Sequence, residues 1–443
     1  MQRGFNLTAT LGSRLRSGLT GLALLRGIAL VLSTLSSIIV ARAIGPSDYG
    51  QLAFVLALAS VLSIPSNGAA VAFLVRFTAA YDRPSTHNLL VGAWQWSAGQ
   101  ARLWATLGCL IALVTALWFG IEKSWADAVP YFLAAALVPM WAGGARVTGI
   151  LQGLKRVVLA QLFDWLVLPT IYLTLVLGLL LTNLLTMEYV LAAFAAAVGL
   201  SIGVGTLTAG KVRAKQVTTP VSPVQDASWQ PAWRHYLLIQ AVSVANLKFP
   251  LILIGFMSVS EEAGLYRAAE SIALLLAIMI AIVNSTLGPY VSQLFYEQKL
   301  GDLQNIMQRI SRFAFIMALP FVVLMLIGGE WLLATIYGDA YCSAYLALAI
   351  LLIGQLVNVA CGSVGLLLNM TGNEAYVFKS LSMAFAISMI LCVVLIPAYG
   401  AFGASIAATI SMMFWNVLQL VRSIRFVRVN PSILSTRPQM TPE

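Results

Sequence analysis

Apolar runs of about 20 residues recur along the whole chain, and they restrict its fold more than any other feature. Each run is long enough to cross the ~30 Å hydrocarbon core of a bilayer as a helix. A membrane β-barrel would alternate apolar and polar residues over about ten positions, whereas Val190–Thr208 is apolar on every face. The chain is therefore predicted to be an all-α, polytopic membrane protein.

We predict about twelve transmembrane helices, with both chain ends in the cytoplasm. The spans are placed at 18–41, 51–75, 101–120, 129–150, 157–181, 189–209, 236–258, 264–288, 309–328, 343–368, 376–396 and 400–420. The orientation follows from the basic residues, which favour the cytoplasmic side. Among the 26 Lys and Arg, the exceptions are Arg42, Lys123 and Arg267 on the opposite side and Lys248 within a span.

Composition agrees with this class and excludes others. Hydrophobic residues make up 60% of the chain and charged residues only 9%, against about 25% charged residues in soluble domains. We attribute the net charge of +10 to membrane topology, so no nucleic-acid partner is expected. With two histidines, and four cysteines without metal or redox spacing, we expect no catalytic residues, metal or cofactor, and no enzyme.

The chain is predicted to consist of two six-helix halves. The longest polar stretch, Lys211–His235, contains three prolines and falls almost at mid-chain. We expect an N-terminal bundle at 14–215, a cytoplasmic linker at 216–235, a C-terminal bundle at 236–428 and a flexible cytoplasmic tail at 429–443.

The two halves are also predicted to be parallel repeats. Placing Gly50 on Gly264 aligns two acidic turns that each open an apolar helix. At nearly the same offset, Gly149–Gly153 aligns with Gly365–Asn369. Chance similarity between apolar helices is the alternative explanation. Repeated halves are the usual architecture of secondary transporters, with the substrate between them.

Five short motifs occur in order along almost the whole chain: Ala41–Gly50 (ARAIGPSDYG), Glu261–Tyr266 (EEAGLY), Ile336–Tyr341 (IYGDAY), Leu368–Gly372 (LNMTG) and Ile396–Ala404 (IPAYGAFGA). In this order they resemble the polysaccharide and O-antigen flippases, the Wzx-type translocases. These belong to the multidrug/oligosaccharidyl-lipid/polysaccharide exporter superfamily.

The resemblance implies a fold like that of multidrug and toxic-compound exporters, with two six-helix bundles forming a V. It also implies a substrate, an undecaprenyl-diphosphate-linked oligosaccharide moved from the cytoplasmic to the periplasmic leaflet of the bacterial inner membrane. Implied partners are this lipid, the membrane lipids and other polysaccharide-assembly proteins. Family members often carry an acidic residue inside the seventh span, where this chain has Lys248, so the resemblance does not extend to cation coupling through that helix.

Charged residues within or beside the spans are the candidates for a substrate-binding cavity, because a charge in the membrane usually faces protein or water. They are Arg26, Arg76, Arg146, Asp164, Lys248, Arg267 and Glu270. We expect ion pairs Arg26–Asp164 and Lys248–Glu270. Alternatively, Arg267 and Glu270, three residues apart, form a plain surface pair.

The role of the individual cations is left open by the sequence. Arg76, Arg146 and Arg267 lie near span ends and could instead snorkel to the interface. Lys248 lies near the centre of its span, where it is either functional or part of a structural ion pair. A diphosphate needs such cations, and sugars need amide or hydroxyl groups. Candidate sugar contacts are Gln240, Ser243, Asn246 and Asn284.

Three functions are compatible with these features. A flippase for a lipid-linked oligosaccharide is favoured. A cation-coupled antiporter of the same fold would need an acidic cluster in the N-terminal half, where Asp164 is the main candidate. A membrane polymerase or glycosyltransferase would need a large loop or an acidic catalytic motif, and neither is visible. The segment His87–Gln100 is expected to lie along the cytoplasmic face as an amphipathic helix.

Overall fold

A computed structural model describes residues 2–122, 124–217 and 222–434. Side chains are described from residue 24 onward, except those at 119, 126, 127, 278–286, 288–290, 293 and 296. Within these ranges the regular structure is entirely helical, without a β-strand, in agreement with the all-α prediction.

Thirteen α-helices lie in the described part of the chain. They are α1 (Gln2–Leu62), α2 (Ile64–Tyr81), α3 (His87–Glu122), α4 (Trp125–Gly153), α5 (Val157–Leu162), α6 (Leu168–Leu181), α7 (Met187–Gln216), α8 (Trp229–Met257), α9 (Ser260–Tyr296), α10 (Leu300–Tyr337), α11 (Tyr345–Cys361), α12 (Val364–Met370) and α13 (Glu374–Arg422). Short π-helical turns, Phe163–Val167 and Ser423–Val427, follow α5 and α13. Nine helical segments of the described residues are long and apolar enough to cross a membrane.

The nine helical segments correspond to more than nine predicted spans, because two of the segments contain a kink and each of these two overlaps two predicted spans. In α1 the chain bends at Gly45 (φ 80°), between the predicted first and second spans. In α13 it bends at Gly400 (φ 50°), between the last two. Both backbone conformations favour glycine, and Pro46 suits the first turn of the helix that follows Gly45. The predicted eighth span lies on α9, where part of the side chains is not described.

Three local predictions are wrong. The predicted span 51–75 is not one helix, because α1 ends at Leu62 and α2 begins at Ile64. The predicted span 343–368 is not one helix, because α11 ends at Cys361 and α12 begins at Val364. Between them Gly362 has a positive φ of 76°, and a Cβ there would lie 2.6 Å from the Pro431 carbonyl oxygen. The segment His87–Gln100 is not a separate surface helix but the first part of α3, where Trp94 is buried.

The chain divides into two compact units. Unit 1 contains the residues up to Ile44 together with Val55–Val244, and unit 2 contains Gly45–Phe54 and the residues from Ala245 onward. Helix α8 therefore contributes to both units. Residues 229–244 belong to unit 1, whereas the sequence predicted that the second bundle begins at 236.

The difference arises from two buried tryptophans at the start of α8. Trp229 and Trp233 are each 1% exposed and pack in unit 1 against aromatic side chains that include Phe73. Just before them, Asp226 accepts hydrogen bonds from the Ser228 N–H (2.8 Å) and the Tyr81 hydroxyl (3.1 Å). The bonds from Ser228 hold the pKa of Asp226 below its usual value. The end of the predicted linker is thus anchored to unit 1.

In unit 2, helices α9, α10, α11 and α13 pack together, and the segment Gly45–Phe54 packs against the start of α9. Glu262 of α9 accepts a hydrogen bond from the Ala401 N–H (2.6 Å), directly after the kink at Gly400. This carboxylate caps the helix segment that begins there. Three motifs far apart in the sequence therefore meet in unit 2: Ala41–Gly50, Glu261–Tyr266 and Ile396–Ala404.

Candidate functional site

A charged cluster in unit 2 is built from α8 and α9. Lys248 of α8 is half-buried and lies within electrostatic range of Glu270 and Arg267 of α9. It makes no hydrogen bond or ion pair with any residue that the structure describes. We call Lys248, Arg267 and Glu270 the α8–α9 charge cluster.

Within this cluster, the Glu270 carboxylate pairs with Arg267 and not with Lys248. Arg267 Nη1 donates to Glu270 Oε2 at 2.5 Å, and Glu270 is only 5% exposed. The predicted Lys248–Glu270 ion pair is therefore wrong, and the alternative Arg267–Glu270 pair forms, with Glu270 buried and Arg267 half-buried. Arginine outcompetes lysine here because the two partners lie one turn apart on the same helix. The cluster retains one positive charge, on Lys248.

Tyrosines surround the Arg267–Glu270 pair. Tyr49 and Tyr337 lie within electrostatic range of Arg267, and Tyr266 lies within range of Glu270. Tyr341 stacks near Tyr337, with ring centroids 5.4 Å apart, and Tyr337 shares a 2.8 Å hydrogen bond with the Ser271 hydroxyl. These tyrosines were not predicted from the sequence as part of the site. The sequence did contain a signal that could have identified them, because all four tyrosines belong to the motifs Ala41–Gly50, Glu261–Tyr266 and Ile336–Tyr341.

The predicted sugar contacts do not form one group. Asn246 in unit 2 donates to the Leu381 carbonyl (3.1 Å), so its amide takes part in helix packing. Ser243 in unit 1 donates to the Ile239 carbonyl of its own helix (2.9 Å). Gln240 is exposed and its side chain lies over Gly68. The side chain of Asn284 lies outside the described residues, and a role in sugar binding stays a prediction for all four.

In unit 1 the predicted Arg26–Asp164 ion pair is also wrong. Asp164 accepts a hydrogen bond from the Thr148 hydroxyl (3.2 Å), and the Arg26 guanidinium lies 5.3 Å from the centre of the Trp165 ring. Asp164 and Trp165 are consecutive residues of a π-helical turn, so their side chains point in different directions. Arg26 therefore reaches the indole and not the carboxylate.

The other two predicted cations lie elsewhere in unit 1. Arg76 is exposed, and its Nη1 donates to the Tyr236 hydroxyl (3.3 Å). Arg146 is half-buried on α4, and its Nε is buried without a hydrogen-bond partner among the described residues. A role for these cations in a substrate cavity stays a prediction.

The charge cluster can attract an anion but has no apparatus for covalent chemistry. Lysine acts as a point charge with three donors. The four tyrosines are only 1–4% exposed, so they contribute to the packing around the Arg267–Glu270 pair. In the described part of the chain, no group of three His, Cys, Asp or Glu is arranged to hold a metal ion. Electrostatic binding of a negatively charged group is what this arrangement can do.

Comparison with protein families gives a match over most of the chain. A family model described as "Polysaccharide biosynthesis protein" matches residues 15–295. A probable flippase from Haloferax volcanii, AglR, is 27% identical over 194 residues. That segment covers 43% of this chain and 39% of AglR, so less than half of the relative's length is matched.

Solved structures share the fold. The lipid II flippase MurJ in an inward closed conformation has a TM-score of 0.71 at 13% identity, covering 90% of this chain and 86% of that one. A MOP superfamily transporter from Pyrococcus furiosus has a TM-score of 0.64 at 15% identity, covering 91% and 94%. An inward-facing multidrug transporter of the MATE family has a TM-score of 0.62 at 14% identity, covering 90% and 96%. The predicted polytopic transporter fold is confirmed.

Proposed function

The chain belongs to the polysaccharide biosynthesis protein family, and on that premise we propose that it is a flippase for a lipid-linked saccharide. This is a family of membrane transporters, not of enzymes. The proposed substrate is an undecaprenyl-diphosphate-linked oligosaccharide, the repeat unit of O-antigen or another surface polysaccharide. The proposed movement is from the cytoplasmic to the periplasmic leaflet of the bacterial inner membrane, by alternating access.

The observation that carries this proposal is Lys248, a basic residue without an ion-pair partner among the residues that the structure describes. It lies near the middle of a membrane-spanning helix, and the nearby Glu270 carboxylate is already paired with Arg267. An intramembrane charge costs ~2.5–3.5 kcal/mol on insertion scales, so a function that needs a cation is expected. A diphosphate, with about two negative charges, is such a ligand.

In this mechanism the lipid tail stays in the bilayer while the polar head crosses. Lys248 holds the diphosphate as access switches from one side to the other. A single lysine suits this role, because it attracts phosphate as a point charge without the bidentate hydrogen bonds that arginine forms. The head group can therefore enter the site and also leave it.

The proposed partners follow from this role. They are the lipid-linked oligosaccharide, the membrane lipids and other proteins of polysaccharide assembly, and no nucleic acid. The parallel repeat and the placement of both termini in the cytoplasm are part of the same proposal.

Deletion of the gene, followed by mass spectrometry of the lipid-linked sugars, tests the function directly. We expect an undecaprenyl-diphosphate-linked oligosaccharide to accumulate on the inner leaflet and surface polysaccharide to be lost. A plasmid copy of the gene should reverse both changes. Normal surface polysaccharide without an accumulated intermediate in the deletion strain would refute the flippase proposal.

A cation-coupled antiporter of the same fold is the second candidate. The feature that favours it is Asp164, an acidic side chain on a π-helical turn in unit 1. Turns of this kind occur often at functional sites. An acidic cluster around Asp164 would strengthen this alternative, but its described partner is the hydroxyl of Thr148.

A further inference from the structure

Three arginines from three different helices lie near one another in unit 1. Arg102 lies on α3, Arg146 on α4 and Arg213 on α7, and α4 packs against both of the other helices. Arg146 lies within electrostatic range of the other two guanidinium groups. We call these residues the arginine cluster.

No carboxylate balances this charge in the part of the chain that the structure describes. The ion pairs found there are Arg267–Glu270 and Lys299–Glu297, neither of which includes the arginine cluster. The Nε atoms of Arg146 and Arg213 are buried and have no hydrogen-bond partner among the described residues. Like charges repel, and an unpaired buried donor of a charged group is costly, so the cluster favours an anionic ligand.

An aromatic side chain positions the cluster. The Arg213 guanidinium lies 4.7 Å from the centre of the Trp94 ring, a cation–π distance. Trp94 is itself buried and fixed, because its indole N–H donates to the Thr78 hydroxyl (3.0 Å). The ring holds Arg213 without using its hydrogen-bond donors, which remain available to a ligand.

Arg102 is the most exposed member of the cluster. It is exposed, and its described hydrogen bond is from Nε to the Ala98 carbonyl of its own helix (3.2 Å). Its terminal nitrogens can therefore meet an approaching anion. The cluster thus combines one exposed arginine with two half-buried ones, and their concentrated positive charge attracts an anion.

We propose that the arginine cluster binds the phosphate group of a lipid headgroup. The planar fork of arginine fits two phosphate oxygens at once, and several forks around one site favour phosphate over a single carboxylate. The helices α3, α4 and α7 are long and apolar enough to cross the membrane, so a phosphate carried by a lipid can reach them. This site belongs to unit 1, whereas the α8–α9 charge cluster belongs to unit 2.

Two lipids carry this chemistry. One is the diphosphate-linked carrier, in which case the inference rests on the flippase function proposed above. The other is an anionic phospholipid of the surrounding bilayer, which does not depend on that function. From the sequence, Arg146 was predicted to be a cavity charge, whereas Arg102 and Arg213 were counted only as cytoplasmic basic residues.

Lipid binding to the purified full-length protein tests the proposal. Native mass spectrometry follows titration with phosphatidylglycerol, undecaprenyl diphosphate or phosphatidylcholine, each in the same detergent. We expect at least one of the two anionic lipids to bind about tenfold more tightly than phosphatidylcholine. Arg146→Gln and Arg213→Gln should each weaken that binding about tenfold, because each removes a charge-assisted pair of hydrogen bonds.

Arg309→Gln is the matched control, since Arg309 is an exposed arginine of α10 in unit 2. Its lipid binding should stay within about twofold of the wild type. The proposal fails if neither anionic lipid binds more tightly than phosphatidylcholine, or if the two glutamine variants bind like the wild type. Tighter binding of undecaprenyl diphosphate identifies the carrier as the ligand, and tighter binding of phosphatidylglycerol identifies the phospholipid.

Thermal unfolding separates a binding role from a structural one. Without added lipid, Arg146→Gln and Arg213→Gln should unfold at or above the wild-type temperature, because each relieves repulsion within the cluster. Variants that unfold well below the wild type, with lipid-induced stabilisation unchanged, would overturn the proposal. The lipid-binding experiment does not measure transport, so failure of the lipid-binding proposal leaves the flippase function open. That function is tested independently, by loss of export in the deletion strain.

Discussion

At two glycines in unit 2, the absence of a side chain allows helices to cross at backbone contact. A Cβ on Gly50 would lie 1.8 Å from the Ser260 carbonyl oxygen, and one on Gly264 would lie 1.9 Å from the Pro46 carbonyl oxygen. Both obstacles are backbone atoms, which cannot turn aside as a side chain would. These two glycines are also the positions that align the predicted repeats.

We expect Gly50→Ala and Gly264→Ala each to destabilise unit 2 by about 3 kcal/mol or more, because the helices must separate. Immunoblots of membranes and size-exclusion chromatography in mild detergent should show little folded protein. Gly178→Ala is the control, since a Cβ at this position in α6 would meet nothing within 4 Å. Normal amounts of folded protein for both crossing variants would contradict the observed packing.

Lys248 gives the sharpest functional prediction. Lys248→Ala should abolish export while the protein still accumulates normally, because Glu270 remains paired with Arg267 and no buried carboxylate loses its partner among the described residues. Lys248→Arg should retain part of the activity, since it keeps the charge but changes its shape. Membrane abundance and surface polysaccharide are measured in the same cells.

The neighbouring cation should behave differently. Arg267→Ala leaves Glu270 buried and without its ion-pair partner, which costs about 3–5 kcal/mol, so abundance itself should fall. Lys379→Ala, at an exposed lysine of α13, is the neutral control.

Wild-type export by an abundant Lys248→Ala protein would end the proposed role of Lys248. Low abundance of that variant would make the role of Lys248 structural.

Among the helices, the turn at Phe163–Val167 departs most from the regular pattern. Its extra residue turns the Phe163 carbonyl to accept a hydrogen bond from the Ser201 hydroxyl of α7 (2.8 Å), and it places Asp164 beside Thr148 of α4. The turn thus connects three parts of unit 1. It also carries the residue on which the antiporter alternative depends.

Substitution of Asp164 distinguishes the two candidate functions. In Asp164→Asn the amide oxygen can still accept the hydrogen bond from Thr148, so a flippase should keep export within about threefold of the wild type. A cation-coupled antiporter would lose ion-driven transport, because an amide does not exchange a proton. Export of surface polysaccharide and drug extrusion under a proton or sodium gradient are both measured. Loss of ion-driven extrusion with normal polysaccharide export would favour the antiporter.

For the whole molecule, the orientation in the membrane is the prediction to test. Reporter fusions at Lys215, Lys299 and Arg428 should report cytoplasm, and fusions at Asp48, Glu261 and Asp339 should report periplasm. The reason is the concentration of Lys and Arg on one side of the predicted spans. Two or more reversed reporters would reject the orientation and the count of twelve spans.

The sequence by itself determined the class, the family and most helices of this protein. Its apolar runs leave a helix as the solution for a backbone in lipid, and that rule is independent of tertiary contacts. The five motifs identified the family for a related reason, since four of them contain a glycine with positive φ (Gly45, Gly338, Gly372 and Gly400), a conformation that few residue types adopt.

Tertiary structure decided the partners of charges that lie on different helices. Arg26 and Asp164 have opposite charge and both lie within predicted spans of the N-terminal half, but a π-helical turn directs Arg26 to Trp165 instead. The spacing of Arg267 and Glu270 on one helix already suggested their pair, whereas the lack of an ion pair between Lys248 and Glu270 depends on how α8 packs against α9. The tryptophans at the start of α8 likewise belong to unit 1 although they follow a polar stretch. Periodicity places a residue on a helix, whereas its partner depends on side-chain direction and helix packing, which only the folded chain specifies.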